Sequence, residues 1–188
     1  NKPYIIVNKA FASLLPASVS EAVVSSLINS YLEKLSAQPD LHDKIEFEIV
    51  HNVFAPHTDE QMKGLRDVLP ARACAEFRDE LIALTQNVFD RYEEMKRKDL
   101  EALDQLAQRR DALLMHDEKG HVRGKLAQVM VLLRDARELG ALPFVRMARM
   151  AFIGIQYLKG LVARNVLSSV TVEDYLASVE TVSSQVDR

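Results

Sequence analysis

Residues 71–115 read ARACAEFRDELIALTQNVFDRYEEMKRKDLEALDQLAQRRDALLM and contain neither Pro nor Gly. Apolar side chains recur in this segment every three to four residues, which places them on one face of an α-helix. These residues are Leu81, Leu84, Val88, Tyr92, Met95, Leu103, Leu106 and Leu113. The opposite face is densely charged around residues 93–99. The segment therefore predicts a long charged helix, either continuous, split into two nearly collinear helices, or folded as a helical hairpin.

The helical period also dominates most of the remaining sequence. Apolar residues follow it within residues 23–35 and in nearly all of the chain after Pro56. Gly140 is expected to end one of the later helices, because Gly is the preferred residue just past a helix C-terminus. A last helix is expected after Thr171, which is a suitable N-cap residue.

One segment departs from the helical period. Residues 44–50 read KIEFEIV, in which the apolar residues Ile45, Phe47 and Ile49 alternate with Glu. Such alternation is typical of a strand with one buried face. Its expected partner is the short apolar run YIIV at residues 4–7. The sequence thus predicts an α+β fold that is mostly α-helical, with a small two-stranded β element near the N-terminus.

Length and composition predict one folded domain. The chain has 188 residues, of which 48% are hydrophobic and 27% charged, and these values exclude a disordered or low-complexity chain. We expect a single, mostly helical domain over residues 1–188, with a β-containing part at 1–57 and a helical part at 58–188. Because the chain starts almost inside the first expected strand, we also expect it to be a fragment of a larger protein.

Cysteine usage and hydropathy indicate the compartment. Cys74 is the only cysteine, which excludes an internal disulfide bond and is typical of the reducing cytoplasm. The longest uncharged apolar stretch in the C-terminal third, Met150–Leu158, is too short to span a membrane. No secretory leader is recognisable at the start of the chain. The predicted location is therefore cytoplasmic, and no membrane partner is expected.

The charge is distributed unevenly along the chain. The formal net charge is −3, yet residues 120–188 carry a basic excess that lies between Arg123 and Arg164. Such a stretch is either a solvated helix face or a surface for an acidic partner. Nucleic-acid binding is not expected, because the basic residues are not interleaved with aromatic residues suited to base stacking.

Two histidine clusters contain side chains that can ligate a metal. His42, Asp43, His51 and His57 fall within 16 residues, but their spacing matches neither a helical ligand pair nor a tight ligand loop. The second cluster, HDEKGH at residues 116–121, has the composition of a solvated turn. No metal ligand is predicted, and since no nucleophile lies beside a base, no catalytic residue is predicted either.

Arg146 and Arg149 are the most informative charged residues. They lie one helical turn apart in an otherwise apolar segment, and a guanidinium in such surroundings needs a carboxylate, a phosphate or water. One alternative is an ion pair with Glu138 or with an acidic residue of the long helix. The other is an anion contact, either to a ligand or to a neighbouring domain of the parent protein.

Four runs in the sequence carry a resemblance to a known family. They are PYIIVNKAFASLLPAS at 3–18, YLEKLSAQPDLHDKIEFEIV at 31–50, the LPF, AR and AFI motifs within 142–153, and TVSSQ at 181–185. In this order they resemble segments of large phosphoenolpyruvate synthase-like proteins, the relatives of pyruvate phosphate dikinase. HDKIEFEIV, at 42–50, is the most specific of them.

The resemblance implies a position within a larger enzyme. In such proteins an ATP-grasp part lies upstream and a phosphohistidine domain downstream, and the similar segment lies between them. It implies a non-catalytic central scaffold of a phosphotransferase, with both flanking domains as partners and a possible homo-oligomer. ATP and Mg are expected for the parent protein, and no cofactor for this segment. The alternative is a stand-alone helical protein–protein interaction module.

Overall fold

The computed structural model describes residues 6–115 and 122–179, and helices account for most of them. The eight α-helices among these residues are α1 (Val7–Leu14), α2 (Glu21–Ala37), α3 (Thr58–Gln61), α4 (Ala71–Asp90), α5 (Tyr92–Met115), α6 (Val122–Asp135), α7 (Leu142–Ala163) and α8 (Ser169–Ser178). Short 3₁₀ helices lie at Pro39–Leu41 and Met62–Asp67, and π-helical turns at Ile45–Ile49 and Ala136–Ala141. The prediction of a mostly helical chain is confirmed.

The predicted β element is wrong, because the described residues contain no strand. Val7 begins α1, and residues 4 and 5 lie outside the described part. Without a neighbouring strand, the backbone groups of residues 45–50 need other hydrogen-bond partners. They find them locally, since the N–H of Val50 donates to the Ile45 carbonyl at 2.8 Å and closes the π-helical turn. The described part of the chain is therefore all-α.

The alternating side chains of the π-helical turn pack against helices instead of a sheet. Ile49 is buried in the apolar core, and Phe47 meets Phe152 of α7 edge-on, with ring centroids 5.2 Å apart. A two-residue alternation over five positions is too short to separate a strand from a helical turn. Burial against α7 and the core decides the outcome here.

The chain divides into two compact units, residues 1–86 with 152–188 and residues 87–151. The expectation of a single domain stays a prediction.

The predicted long helix over 71–115 is interrupted at Arg91, so that α4 and α5 are separate helices.

The first unit has an apolar core. Its fully or nearly fully buried members are Phe11, Leu15, Leu27, Ile28, Tyr31, Ile49, Val50, Met62, Leu65, Leu69, Phe77 and Leu81. These residues come from α1, α2, the π-helical turn, the 3₁₀ helix after α3, and α4. The core thus ties the segment around residues 45–58 to the helices on both sides of it.

The second unit buries few side chains. Among its described residues, only Val88, Asp99, Asp135 and Pro143 are buried. Large apolar side chains of the same unit remain exposed, among them Leu126, Met130, Leu133, Phe144 and Val145. Two of the four buried residues are therefore acidic.

Candidate functional site: a polar cavity in the first unit

A partly open cavity of about 180 Å³ lies where the π-helical turn and residues 50–58 meet α2, α3 and α7. Residues 47–53 form one wall. The polar side chains that line the cavity are Lys34, Glu48, His51, Asn52, Thr58, Gln61 and Gln156. This concentration of polar groups beside an apolar core makes the cavity the leading candidate for a ligand site.

Two amide side chains in the cavity wall leave an oxygen without a partner. Asn52 is 2% exposed and Gln156 is 4% exposed. The Asn52 side-chain nitrogen donates to the Glu46 carbonyl at 3.0 Å, and that of Gln156 donates to the Phe47 carbonyl at 2.9 Å. Asn52 Oδ1 and Gln156 Oε1 have no hydrogen-bond partner among the described residues. Buried acceptors of this kind are costly unless something donates to them.

His51 is held against Tyr31 at two points. Its Nδ1 lies 3.2 Å from the Tyr31 hydroxyl. The Tyr31 oxygen accepts from the His51 backbone N–H at 3.3 Å. Burial keeps the pKa of Tyr31 well above its usual value, so this hydroxyl stays protonated.

The charged groups at the cavity leave it slightly positive. The Lys34 ammonium donates to the Glu48 backbone carbonyl. Glu48 Oε1 is paired with Lys159 Nζ at 2.7 Å, so those two charges offset each other. Burial, helped by the positive charge of Lys34, lowers the pKa of His51 from 6.5 to about 4. The histidine is therefore neutral at pH 7.

This lowered pKa makes stability depend on pH. Between pH 6.5 and 4 the unfolded chain binds a proton at His51 that the folded chain does not, so stability falls as the pH falls. We expect the free energy of unfolding to drop by about 2 kcal/mol between pH 7 and pH 5 through this residue. The pKa of His57 is also lowered by burial, which adds a change of the same sign. Urea denaturation at the two pH values measures the total.

Two substitutions separate the contribution of His51. In His51→Gln most of the pH dependence between pH 7 and 5 should disappear, whatever the stability of the variant at pH 7. His42→Gln is the matched control, because His42 is exposed and its Nδ1 contacts the Pro39 carbonyl of a neighbouring turn, at 3.1 Å. The assignment is refuted when His51→Gln keeps the full pH dependence of the wild type.

The end of α7 and Arg164, which follows it, lie close to the loop at residues 56–57. Beyond Gln156, Arg164 Nε donates to the Pro56 carbonyl at 3.0 Å. A Cβ atom on Gly160 would lie 2.7 Å from Pro56 Cδ and 2.8 Å from His57 Nδ1. Only Gly allows the helix to approach the loop this closely.

The arginine pair from the sequence lies outside this cavity, in the second unit. Arg146 Nε donates to Asp99 Oδ1 at 2.8 Å, and its Nη2 contacts the same oxygen. Asp99 belongs to α5, so this contact matches the alternative of an ion pair with an acidic residue of the long helix. Arg149 is partly buried, and burial lowers the pKa of its guanidinium. An anion or interdomain contact of Arg146 and Arg149 stays a prediction.

The histidine clusters do not assemble a metal site in the described part of the chain. His51 packs on Tyr31, with ring centroids 5.9 Å apart, whereas His42 and Asp43 are exposed. No group of three or more His, Cys, Asp or Glu side chains placed to hold a metal occurs within residues 6–115 and 122–179. The cluster at 116–121 lies outside the described residues.

The sequence missed Asn52 and Gln156, which are more than a hundred residues apart. Neither belongs to a motif, and an isolated amide has no pattern that would mark it as buried. One signal was available for Gln156, which is the single amide side chain in the uncharged apolar stretch Met150–Leu158. A polar residue at such a position needs a partner, although the sequence does not say which.

Within the described residues, no helix combines the length and apolar character that a membrane crossing requires.

Comparison with known proteins adds no relative. Searches against protein-family models, curated proteins and solved structures found no match to this chain.

Proposed function

We propose that this chain is a non-catalytic helical scaffold within a cytoplasmic phosphotransferase of the phosphoenolpyruvate synthase type. The parent protein would transfer phosphate among ATP, a histidine and pyruvate or a related acceptor, with Mg and ATP as its cofactors. Its ATP-grasp and phosphohistidine domains would flank this chain and would be its first partners. The resemblance over residues 3–18, 31–50, 142–153 and 181–185 is the basis for the family.

The observation that carries the scaffold role is the use of buried charged groups within the chain itself. Asp99 is 0% exposed and is paired with Arg146, and Asp135 Oδ1 lies 3.2 Å from Arg109 Nη1. Each pair joins a buried carboxylate to a half-exposed arginine of another helix, which favours one relative position of the two helices. A module that spaces catalytic domains needs this kind of internal definition, and these pairs supply it.

Calorimetric titration of the chain tests the scaffold role. We expect no saturable heat on addition of ATP–Mg, phosphoenolpyruvate or pyruvate, because the proposal assigns the binding of all three to the flanking domains. A saturable heat with any of them contradicts the scaffold role. Arg146→Ala and Arg149→Ala would then be the first variants to titrate, since those arginines are the predicted anion contacts.

A second candidate, a helical protein-interaction module, is favoured by one surface of the second unit. Leu126, Met130 and Leu133 follow one another on α6 at helical spacing, and each is more than half exposed. Residues 122–151 carry six basic and two acidic side chains. An apolar stripe with basic surroundings suits an amphipathic partner helix with acidic flanks.

The reading frame around this chain separates the two candidates. Flanking ATP-grasp and Gly-Gly-x-x-Ser-His sequences favour the scaffold of a phosphotransferase. Flanks without either favour the interaction module, and the α6 stripe would then be the surface to test. Leu133→Glu should abolish partner binding in that case, because a charge in the stripe cannot be buried without a counter-ion.

A further inference from the structure

The segment 122–151 of the second unit runs antiparallel to α5. Asp135 Oδ1 lies 3.2 Å from Arg109 Nη1, and Arg146 is paired with Asp99, so residue numbers rise along one helix as they fall along the other. Within this segment α6, the π-helical turn and the start of α7 follow one another without a gap. One side of a continuous helical segment therefore faces α5.

Another side of the same segment carries a second row of apolar side chains, which we call the outer stripe. Its members recur at helical spacing and each is about half exposed or more; they are Leu126, Val129, Met130, Leu133, Leu142 and Val145. Apolar side chains on more than one side are typical of a helix that is covered on more than one side. The contact with α5 accounts for one cover, and the outer stripe calls for another.

Two charged side chains in the middle of the outer stripe have no partner. Arg137 and Glu138 belong to the π-helical turn, between Leu133 and Leu142, and both are exposed. Neither side chain forms an ion pair or a hydrogen bond with any described residue. With Met130 and Leu133 they line an open groove of about 440 Å³. Adjacent opposite charges are self-complementary, because an antiparallel copy of the same segment sets each one opposite its counter-charge.

We propose that the outer stripe is the interface of a homodimer, in which the segments 122–151 of two copies pair antiparallel across a two-fold axis. The axis passes between Arg137 and Glu138, so that each arginine faces the glutamate of the other copy. The inference names a partner for the α6 stripe and therefore rests on the interaction-module candidate. It is independent of the phosphotransferase assignment.

The same register brings the apolar side chains together. Positions at equal distances from the axis meet, so Met130 lies opposite Val145 and Leu133 lies opposite Leu142 of the other copy. None of the six basic residues of the segment meets another basic residue in this register. The basic excess of the segment therefore places no like charges directly opposite one another across the axis.

Sedimentation equilibrium of the chain tests the dimer. We expect the mass to rise with concentration from 21.2 kDa towards twice that value. Leu133→Glu should raise the dissociation constant of the dimer by about 100-fold, because each dimer would bury the new charge twice. Leu114→Glu is the matched control and should leave the dimer intact, since Leu114 is as exposed as Leu133, 63% against 62%, but belongs to α5.

Two charge reversals test the register. Arg137→Glu and Glu138→Arg each set like charges opposite one another, so each variant alone should dimerise more weakly than the wild type. An equimolar mixture of the two variants should recover the dimer, because the mixed dimer pairs opposite charges at both positions. Both side chains are exposed, so the substitutions disturb no buried contact of the single chain.

Three results would overturn the proposal. They are a single species of 21.2 kDa at every concentration, equal effects of Leu133→Glu and Leu114→Glu, and a mixture of the charge variants that dimerises as weakly as its components. None of them refutes the scaffold function, which phosphohistidine formation in the full polypeptide tests, or the interaction-module candidate, which the flanking sequences test.

Discussion

Arg146→Ala is expected to lower the free energy of unfolding by about 3 kcal/mol. The substitution leaves the Asp99 carboxylate buried without its counter-charge, since Asp99 is 0% exposed and its Oδ2 has no partner in the described part of the chain. Removal of one partner from a buried ion pair costs about 3–5 kcal/mol, and the half-exposed Arg146 places this pair at the lower end. Urea denaturation followed by circular dichroism measures the change.

A double substitution and a control complete this test. Asp99→Leu combined with Arg146→Met removes both charges, so it should recover most of the loss. Arg110→Ala is a control in α5, the helix that carries Asp99, because Arg110 and Asp111 are 57% and 53% exposed and their pair should contribute less than about 1 kcal/mol. Equal losses for Arg146→Ala and Arg110→Ala would show that Asp99 is not a buried charge.

Two glycines of α7 should respond to the same substitution with opposite signs. Gly160→Ala is expected to cost about 1–3 kcal/mol, because its Cβ would press on the rigid ring of Pro56 and on His57. Gly154→Ala should stabilise by about 0.5–1 kcal/mol, because nothing lies within 4 Å of its Cβ and Ala is the better helix former. The two variants should therefore differ by about 3 kcal/mol.

This pair tests how closely α7 approaches the loop at residues 56–57. The comparison is internal, since both substitutions lie in one helix and change one methyl group. Thermal unfolding of the two variants beside the wild type gives the signs directly. Stabilisation by Gly160→Ala would refute the close approach, and with it the position of Gln156 in the cavity wall.

The helix content could be predicted from the sequence. The absence of the expected strand pair could not. The three-to-four spacing in residues 71–115 extends over many turns, so the helical assignment does not depend on any one residue. The alternation at 45–49 covers only five residues, and both a strand and a helical turn can bury Ile45 and Ile49. The absence of a neighbouring strand decided in favour of the helical turn. That absence is a property of the tertiary structure.

The ion pair was partly predictable and the cavity was not. An acid at position 99 interrupts the apolar spacing of α5, and Arg146 interrupts an apolar segment of α7. Opposite charges at two apolar positions are candidates for an ion pair. From sequence, Glu138 was an equal candidate for the partner of Arg146. The cavity depends on where the Glu46 and Phe47 carbonyls point, and this follows from the π-helical turn that the sequence did not reveal.

Detection of phosphohistidine in the full polypeptide tests the proposed function most directly. The complete reading frame that contains residues 1–188 would be expressed, incubated with ATP–Mg, and analysed for an acid-labile, base-stable phosphate on histidine. The scaffold proposal predicts phosphohistidine in the full polypeptide, on a histidine outside this chain. Its absence there, or its appearance on a histidine within residues 1–188, would contradict the proposal.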